Sequence, residues 1–394
     1  MHHRFAFLLV LASLLFVSCS TPAAKPVTGP LILISIDGFR WDYIHQYHAP
    51  TLSRLAAAGV HATRMTPSFP SKTFPNHYTL VTGLRPAHHG IVGNWFYDPG
   101  LAETFGMSKP DSNTQERWWD EGEPVWITAE KQGVRSFCYF WPGSEAKNHG
   151  IRPSRFKPFD FKLPMSDRVD ELLSWLDVPE AQRPGLCTLY FDVVDTKGHK
   201  FGPDAPETGA AVAEADAAVQ RLLDGLGRLG LADRVNLVLV SDHGMSPCGP
   251  DKVIFLEDLI DVSQVQVDST GPVGGVRPKP GTISAVELAD RIRARPRRNC
   301  TSTCATRRRR AFTTATTRAF PTWCSSATTT GISRARSAGR SARRPTTAAR
   351  TGGIRPHPTW VRSSSPAARP SVTTSKFPTS TTSTSTTCSA RRSA

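Results

Sequence analysis

The last 99 residues of this 394-residue chain lack six kinds of amino acid altogether. Residues 296–394 contain no Asp, Glu, Leu, Met, Gln or Tyr, whereas 39 of them are Ser or Thr. A segment without leucine does not build an ordinary hydrophobic core. We therefore predict that residues 296–394 are not natively folded, and we base the fold prediction on residues 1–295.

The absence of acidic residues from this tail also explains the charge of the chain. The formal net charge is +15, but residues 1–295 hold all 33 acidic residues and 29 of the 48 Lys and Arg, a net of −4. A basic protein ordinarily suggests a nucleic acid or an anionic membrane as its partner. Since the positive charge belongs to the tail, we expect no specific nucleic-acid binding. The rival hypothesis is a non-enzymatic protein that holds nucleic acid through the tail, and it predicts salt-sensitive binding that is lost on deleting residues 296–394.

Cysteine is scarce in residues 1–295, which contain only Cys19, Cys138, Cys187 and Cys248. None of them belongs to a CxxC pair or to another metal-ligand spacing, which argues against a cysteine-based metal site. We expect three isolated buried thiols after Cys19, with one disulfide as the alternative in an oxidising compartment.

Long apolar runs are missing too, and the run at the N-terminus is too short to span a bilayer comfortably. Phe5–Phe16 follows the basic Arg4, a pattern typical of an export signal, and ends at Phe16–Cys19, which resembles a bacterial lipoprotein box. We expect a signal peptide over residues 1–19, a lipid anchor at Cys19 and a linker over residues 20–30. The protein would then be exported to the periplasm or anchored in the outer membrane of a bacterium. Plain secretion and an ordinary buried segment are the alternatives.

Three apolar runs separated by helical patterns indicate the fold class. Leu31–Ile36, Gly185–Val194 and Val235–Val240 contain strands of the kind that is buried on both faces of a sheet. Pro50–Gly59 and Glu207–Gly230 have helical spacing and end on glycine. The alternation predicts an α/β fold, with a mostly parallel central sheet and helices on both faces, over residues 31–295.

Carboxylates follow all three predicted strands, at Asp37, Asp195 and Asp242. Because ligands gather at the carboxyl ends of parallel strands, we expect these side chains to meet. With His199 and His243 they form the ligand set that suits zinc, whose charge would offset the repulsion between carboxylates. Taken singly, Asp37 is better explained as a turn residue, and Asp242 is explained equally well as a solvated strand end.

A hydroxyl group lies where a further helix is expected to begin. Thr73 follows a Pro, Ser and Lys turn and precedes Tyr78–Thr82, which continues the helical pattern. The N–H groups and the positive end of a helix favour an alkoxide and an incoming phosphate. A neighbouring zinc would make threonine a competent nucleophile. A role for Thr73 as a helix N-cap is the alternative, and it is compatible with catalysis.

Five segments of the chain resemble a known family. Their order and sequence, above all around Thr73, are similar to the nucleotide pyrophosphatase/phosphodiesterase family of the alkaline phosphatase superfamily, over about Leu31 to Asp290. This resemblance implies an alkaline-phosphatase-like fold and a hydrolase with a nucleotide or another phosphodiester as its small-molecule substrate. The segments are Ile34–Phe39, Pro70–His77, His89–Asn94, Asp195–His199 and Val240–Met245.

The resemblance also implies a role for each site residue, in a site with two Zn²⁺ ions. Asp37, Asp242 and His243 would hold the zinc that also contacts Thr73 and activates it, and Asp195 and His199 would hold the second zinc. Thr73 would attack the phosphodiester or pyrophosphate and form a phosphothreonine that water then hydrolyses. Asn94 would donate a hydrogen bond to a phosphate oxygen. Phe74 and Tyr190 are candidates for stacking on a nucleobase, with a core role open for each, and His77, His88 and His89 are interpreted as supporting or structural.

One expected ligand of the second zinc is missing from the sequence. The family needs a further histidine in a late His-Gly segment, whereas the histidine that follows His243 is His357, between Pro356 and Pro358. Residues 347–354 can be encoded as ACC GCG GCA CGC ACG GGT GGG ATC, and the same bases read two positions later give Arg-Gly-Thr-His-Gly-Trp-Asp.

We therefore hypothesise a frameshift close to Arg295–Pro296, which leaves the second zinc site incomplete. The chain as written would then show little activity and would fold poorly. Three alternatives keep the fold: a related phosphomonoesterase, a phosphodiesterase acting on phosphonates or lysophospholipids, and an inactive pseudoenzyme.

Overall fold

The structure of the chain is a computed structural model that describes residues 29–249 and 253–294, together with three short strands between residues 301 and 334. The contacts divide the chain into Met1–Ala338 and Gly339–Ala394, and all described residues belong to the first unit. The predictions for the signal peptide, Cys19 and most of the linker lie outside the described residues, as does His357. Among the helices that are described, none has the length and apolar character needed to cross a membrane.

Thirteen strands are described, and five of them form a parallel sheet in the order β5-β4-β6-β1-β7. The strands are β1 (Leu31–Ile36), β2 (Trp95–Asp98), β3 (Glu103–Gly106), β4 (Ser136–Tyr139), β5 (Arg155–Lys157), β6 (Leu186–Phe191), β7 (Asn236–Val240), β8 (Val253–Phe255), β9 (Val265–Ser269), β10 (Val273–Pro278), β11 (Thr301–Thr303), β12 (Trp323–Ser325) and β13 (Ile332–Arg334).

Ten α-helices are described, of which the longest covers 23 residues. They are α1 (Tyr43–Gln46), α2 (Pro50–Ala58), α3 (Thr73–Thr82), α4 (Pro86–His89), α5 (Pro110–Thr114), α6 (Val125–Lys131), α7 (Met165–Leu176), α8 (Val193–Phe201), α9 (Pro206–Arg228) and α10 (Ala285–Ala294).

The central strand β1 has apolar side chains on both faces. Ile32, Ile34 and Ile36 pack into one buried cluster together with residues of α7 and α9. Leu31 and Leu33 point to the other face and pack against a second cluster, to which α3 and α6 contribute. Alternate residues of a strand face opposite sides of its sheet, so one apolar run requires helices on both. The predicted α/β architecture is confirmed.

Strand β7 pairs in parallel with β1 and is the last strand of this sheet on its side. It is as apolar as β1, yet Val238 is 41% exposed, whereas Ile34 is fully buried. Thus β7 has the composition of a central strand in the position of an edge strand.

Smaller sheets lie beyond this central sheet. Strands β2 and β3 form an antiparallel hairpin, and β10 pairs with β9 and with β12. Strand β13 pairs in parallel with β8. Strands β11, β12 and β13 fall inside residues 296–394, so nine residues of the predicted non-native tail are described as strand backbone. For the rest of the tail the prediction lies outside the described residues.

Of the three cysteines that follow Cys19 in residues 1–295, two match the expectation of isolated buried thiols. Cys138 and Cys187 are free and buried in neighbouring strands, while Cys248 is free but exposed. The expectation was wrong for Cys248 because this residue lies in an open segment after β7, where neither strand pairing nor a helix covers it.

Candidate active site

Asp37 directly follows the central strand β1 and is 1% exposed. The turn that follows depends on Gly38, whose backbone adopts φ +68°, a conformation that favours glycine. A Cβ atom on Gly38 would lie 2.9 Å from both Cα and Cβ of Asp195. The absence of that atom lets the backbone of β1 approach Asp195 directly, which brings two of the three predicted acidic motifs together.

Asp242 and His243 come from the end of β7, the strand beside β1. The Gly38 N–H donates a hydrogen bond to Asp242 Oδ1 at 3.1 Å. His243 Nε2 lies 3.1 Å from Asp242 Oδ2 and 3.6 Å from Asp37 Oδ1. The parallel register of β1 and β7 therefore places their two terminal carboxylates and one imidazole in contact.

These side chains form two overlapping groups that could hold a metal ion. In the first, ligand atoms of Asp37, Asp195 and His243 all lie within 4.8 Å of one another, and in the second the same holds for Asp37, His77 and Asp242. His199 belongs to neither group. Its side chain is 73% exposed, and its Nε2 lies 3.3 Å from Asp195 Oδ1.

The electrostatics of the cluster suit a divalent cation. Asp37 Oδ1, Asp195 Oδ1 and Asp242 Oδ2 are buried and receive no hydrogen bond. Burial, together with the nearby charges of Asp242 and Asp195, raises the pKa of Asp37 well above its usual value. Three converging carboxylates with orphaned oxygens and an adjacent imidazole are the oxygen and nitrogen donors that zinc accepts, so the residues present fit the metal that the family resemblance implies.

Replacing Asp37 with Asn should stabilise the zinc-free protein at neutral pH. Because the folded-state pKa of Asp37 is raised, its contribution to stability is present at low pH and lost as the pH rises through that pKa. Asparagine carries no charge at any of these pH values, so the variant does not show this loss. We expect its free energy of unfolding at neutral pH to be higher by about 1–3 kcal/mol, the cost of an unsatisfied buried polar group. Thermal unfolding in chelator between about pH 4 and pH 8 measures the effect. Replacement of the exposed Asp233 by Asn is the control, and identical pH profiles for native protein and Asp37→Asn would refute the prediction.

Thr73 is the first residue of α3, so the predicted nucleophile lies at a helix N-terminus. Its Oγ1 atom is 3.4 Å from His243 Nε2. The preceding Lys72 is in an extended conformation and its side chain makes no cap to the helix. The threonine hydroxyl therefore borders the carboxylate cluster.

His77 supports this arrangement through its contacts with Thr73 and Ser35. Its Nδ1 lies 2.9 Å from the Thr73 carbonyl oxygen and its Nε2 lies 2.8 Å from Ser35 Oγ. A carbonyl oxygen only accepts, so Nδ1 carries the proton and Nε2 accepts from Ser35. His77 is fully buried, and its Nδ1 is 3.6 Å from Asp242 Oδ2. With that proton directed at Thr73, the supporting role expected from the sequence fits His77 better than metal ligation.

Asn94 lies beside the nucleophile. Its Oδ1 atom accepts a hydrogen bond from the Phe74 N–H at 3.0 Å, which ties the segment before β2 to the start of α3. The Phe74 ring is half-buried and packs against Phe105 and Trp119, with ring centroids 5.9 Å and 6.1 Å away.

Tyr190 has little free ring surface for a nucleobase. It is 7% exposed, its hydroxyl donates to Asp37 Oδ2 at 2.6 Å, and its ring packs edge-on against His77. The interpretation of Tyr190 as a stacking residue is therefore replaced by the core role left open for it, because β6 is buried along its whole length. The hydroxyl of Tyr190 orients Asp37 instead.

Two residues near the site were missed by the sequence reasoning. The amine of Lys72 donates to the Val273 carbonyl at 3.0 Å, and burial lowers its pKa to about 8. Phe159 is 47% exposed, and its ring centroid lies 5.9 Å from that of Tyr190. Lys72 was adjacent to Thr73 and could have been suspected. Phe159 gave no distinctive signal, since it is one of three phenylalanines, with Phe156 and Phe161, in the short segment around Pro158.

The model of the type I phosphodiesterase/nucleotide pyrophosphatase family matches residues 31–324 of the chain. The chain belongs to this family. The match extends past Arg295, which is the predicted end of the folded domain, and reaches strand β12.

Several relatives of this family member are pyrophosphatases/phosphodiesterases by name. The chain is 44% identical to an uncharacterised one from Schizosaccharomyces pombe, over 63% of this chain and 51% of the relative. It is 40% identical to human ectonucleotide pyrophosphatase/phosphodiesterase family member 1, over 64% of this chain and 27% of the relative. The chain thus spans about half or less of the length of these relatives.

Solved structures show the same fold. Murine ectonucleotide pyrophosphatase/phosphodiesterase 5 aligns with a TM-score of 0.69 and 32% identity, over 75% of this chain and 78% of that one. An inactive threonine-to-alanine variant of the murine protein in complex with AMP aligns equally well. An alkaline-phosphatase-like α/β fold is therefore confirmed for the chain.

Proposed function

We propose that this protein hydrolyses phosphodiester or pyrophosphate bonds of nucleotides, with Thr73 as the nucleophile and zinc as the metal. The observation that carries the proposal is the position of Thr73. It stands at the start of α3, and its Oγ1 is 3.4 Å from His243 Nε2, an imidazole that also contacts Asp37 and Asp242.

The chain's own residues divide into a complete and an incomplete metal site. Asp37, Asp242 and His243 would hold the zinc next to Thr73, and Asp195 with His199 would hold the second. When bound, zinc would lower the pKa of the threonine hydroxyl and neutralise charge on the phosphoryl oxygens. The exposed position of His199 supports a second site that lacks part of its ligand set.

Thr73 would carry the reaction through two displacements at phosphorus. Its Oγ1 loses its proton and forms a bond to phosphorus while the bond to the leaving oxygen breaks and that oxygen takes up a proton, which gives a phosphothreonine. Water then attacks the same phosphorus, the bond to Oγ1 breaks, and a proton from the water restores the threonine hydroxyl. The N-terminus of α3 favours the negative charge of the phosphoryl group throughout.

Asn94 would orient the phosphoryl group. Its Oδ1 is occupied by the Phe74 N–H, so the Nδ2 amide group is the part that donates to a phosphate oxygen. Phe159 offers the exposed aromatic surface that Tyr190 does not, and it lies on the Tyr190 side of the cluster. An apolar ring there suits a nucleobase, and the AMP complex of the murine relative supports a nucleotide as the substrate class.

A comparison of two chromogenic substrates tests the proposal. We expect kcat/KM for p-nitrophenyl-TMP, a diester, to exceed that for p-nitrophenyl phosphate by about tenfold or more. The chain as written and a version with its reading frame restored should show the same preference, the first at a lower rate. A reversed ratio would identify a phosphomonoesterase. Turnover confined to phosphonate esters or lysophospholipids would likewise refute the nucleotide assignment, and no turnover in either version would indicate a pseudoenzyme.

A further inference from the structure

The side chain of Arg40 touches all three segments that carry the candidate metal ligands. Arg40 follows Asp37 by three residues, in the turn after β1. Its Nη1 donates to the Met245 carbonyl at 3.3 Å, just past Asp242 and His243. Its Nη2 donates to Asp204 Oδ1 at 3.2 Å, in the loop that follows the helix of Asp195 and His199.

The guanidinium group is itself held in place on its other sides. Its Nε donates to Asp42 Oδ1 at 2.6 Å, and Nη2 also reaches Gln46 Oε1 at 2.7 Å. The group lies over the ring of Tyr43, 4.8 Å from its centroid. Only arginine combines several fixed donors with a flat face that stacks on an aromatic ring. Because one rigid group makes all these contacts, movement of one segment disturbs the others.

Close packing reinforces the junction between Arg40 and the three segments that it touches. A Cβ atom on Gly244 would meet Cγ, Cα and Cβ of Arg40 at 3.1–3.3 Å. A Cβ atom on Gly198, in α8, would meet the sulfur of Met245 at 2.4 Å. The loop after β7 is therefore seated between Arg40 on one side and the Asp195 helix on the other, with tight contacts at both glycines.

We propose that Arg40 is a positioning residue that fixes the Asp37, Asp195 and Asp242 segments in the geometry required for metal binding. The proposal rests on the metal assignment in the proposed function. Exposed ion pairs contribute little to stability, and the Arg40–Asp204 pair is exposed on its Asp204 side. We therefore assign the Arg40 contacts a role in placing the metal-ligand side chains. Hydrogen-bond partners of metal ligands change metal affinity by about 10- to 100-fold, and we take this range as the scale for contacts that hold the ligand-bearing segments.

Zinc affinity, measured without substrate, tests the role directly. The full chain is stripped of metal and titrated with Zn²⁺ against a chromogenic chelator. For Arg40→Ala we expect the zinc dissociation constant to rise by about 10- to 100-fold and the unfolding temperature of the zinc-free protein to change little. Arg40→Lys keeps the positive charge but offers a single donor nitrogen, so it should recover only a small part of the zinc affinity that Arg40→Ala loses. Arg221→Ala, which breaks an exposed bidentate pair with Asp170, is the matched control and should bind zinc as the native chain does.

Each result separates this proposal from the proposed function. A native chain that binds Zn²⁺, together with Arg40→Ala of unchanged affinity, overturns the positioning role alone. A native chain without Zn²⁺ binding overturns the metal assignment and the positioning role together. If Arg40→Ala does not fold, Asp204→Asn and Gly244→Ala carry the test, since each disturbs one side of the same junction. Both should weaken zinc binding, and normal affinity in both would refute the proposal.

Discussion

Replacing Thr73 with alanine is expected to abolish turnover while zinc binding is retained. The variant removes the hydroxyl and the γ-methyl group, and Asp37, Asp242 and His243 keep their contacts with one another. Loss of a covalent nucleophile lowers kcat by on the order of 10³-fold or more. Single-turnover kinetics with p-nitrophenyl-TMP, in a protein with its frame restored, measures the loss. Mass spectrometry should find the trapped phosphoryl group on Thr73 in the native protein.

A second threonine of the same helix provides the control. Thr82 hydrogen-bonds through its hydroxyl to the Tyr78 carbonyl at 2.6 Å, near the far end of α3. Thr82→Ala should therefore keep full turnover. Retained activity in Thr73→Ala would show that the nucleophile is wrong. Loss of zinc along with activity would assign Thr73 a structural role as the first residue of α3.

The frameshift that we hypothesise near Arg295 gives the second prediction with a large expected effect, which is tested by restoring the reading frame. We propose that the restored sequence supplies the histidine that the second site lacks. The protein should then bind a second zinc ion per chain and gain on the order of 10²-fold in kcat/KM. Strand β7 supports the proposal, because its half-exposed apolar side chains suit further packing that a complete domain would provide.

The gene itself gives the first measurement, by resequencing across the codons for Ala294–Arg298. Zinc is then counted per chain by elemental analysis for both versions. Asp195→Asn in the restored protein serves as the matched control and should return it to one zinc. A confirmed, unshifted sequence whose product is stable and holds two zinc ions would refute the frameshift.

The parts of the site that could be predicted from the sequence are those fixed by strand ends. Asp37 and Asp242 follow apolar runs long enough to be recognised, and parallel pairing then brings them together whatever the loops do. Thr73 was predictable because a helix start has a local signature of its own. Such features depend on neighbours in sequence and on the geometry of the sheet alone.

What could not be predicted depends on contacts between distant residues. Tyr190 alternates like any strand residue, and only the register of β1 with β6 reveals that its hydroxyl reaches Asp37, 153 positions away. The spacing of Asp195 and His199 indicates a shared helix face, but it does not show that His199 stays exposed. The contacts of Arg40 and Lys72 could not be predicted either, because their partners lie more than 160 positions away in the sequence.

Gly38 links these contacts to the evolution of new activities. Because its backbone rests against Asp195, the separation between the Asp37 turn and Asp195 is set by the main chain and not by side chains that can be exchanged. Mutation cannot tune that separation in small steps, since the first added carbon at this position already collides. Under the proposed function, selection for a different leaving group would therefore act on the periphery, in segments such as that of Phe159, while the carboxylate cluster is inherited unchanged.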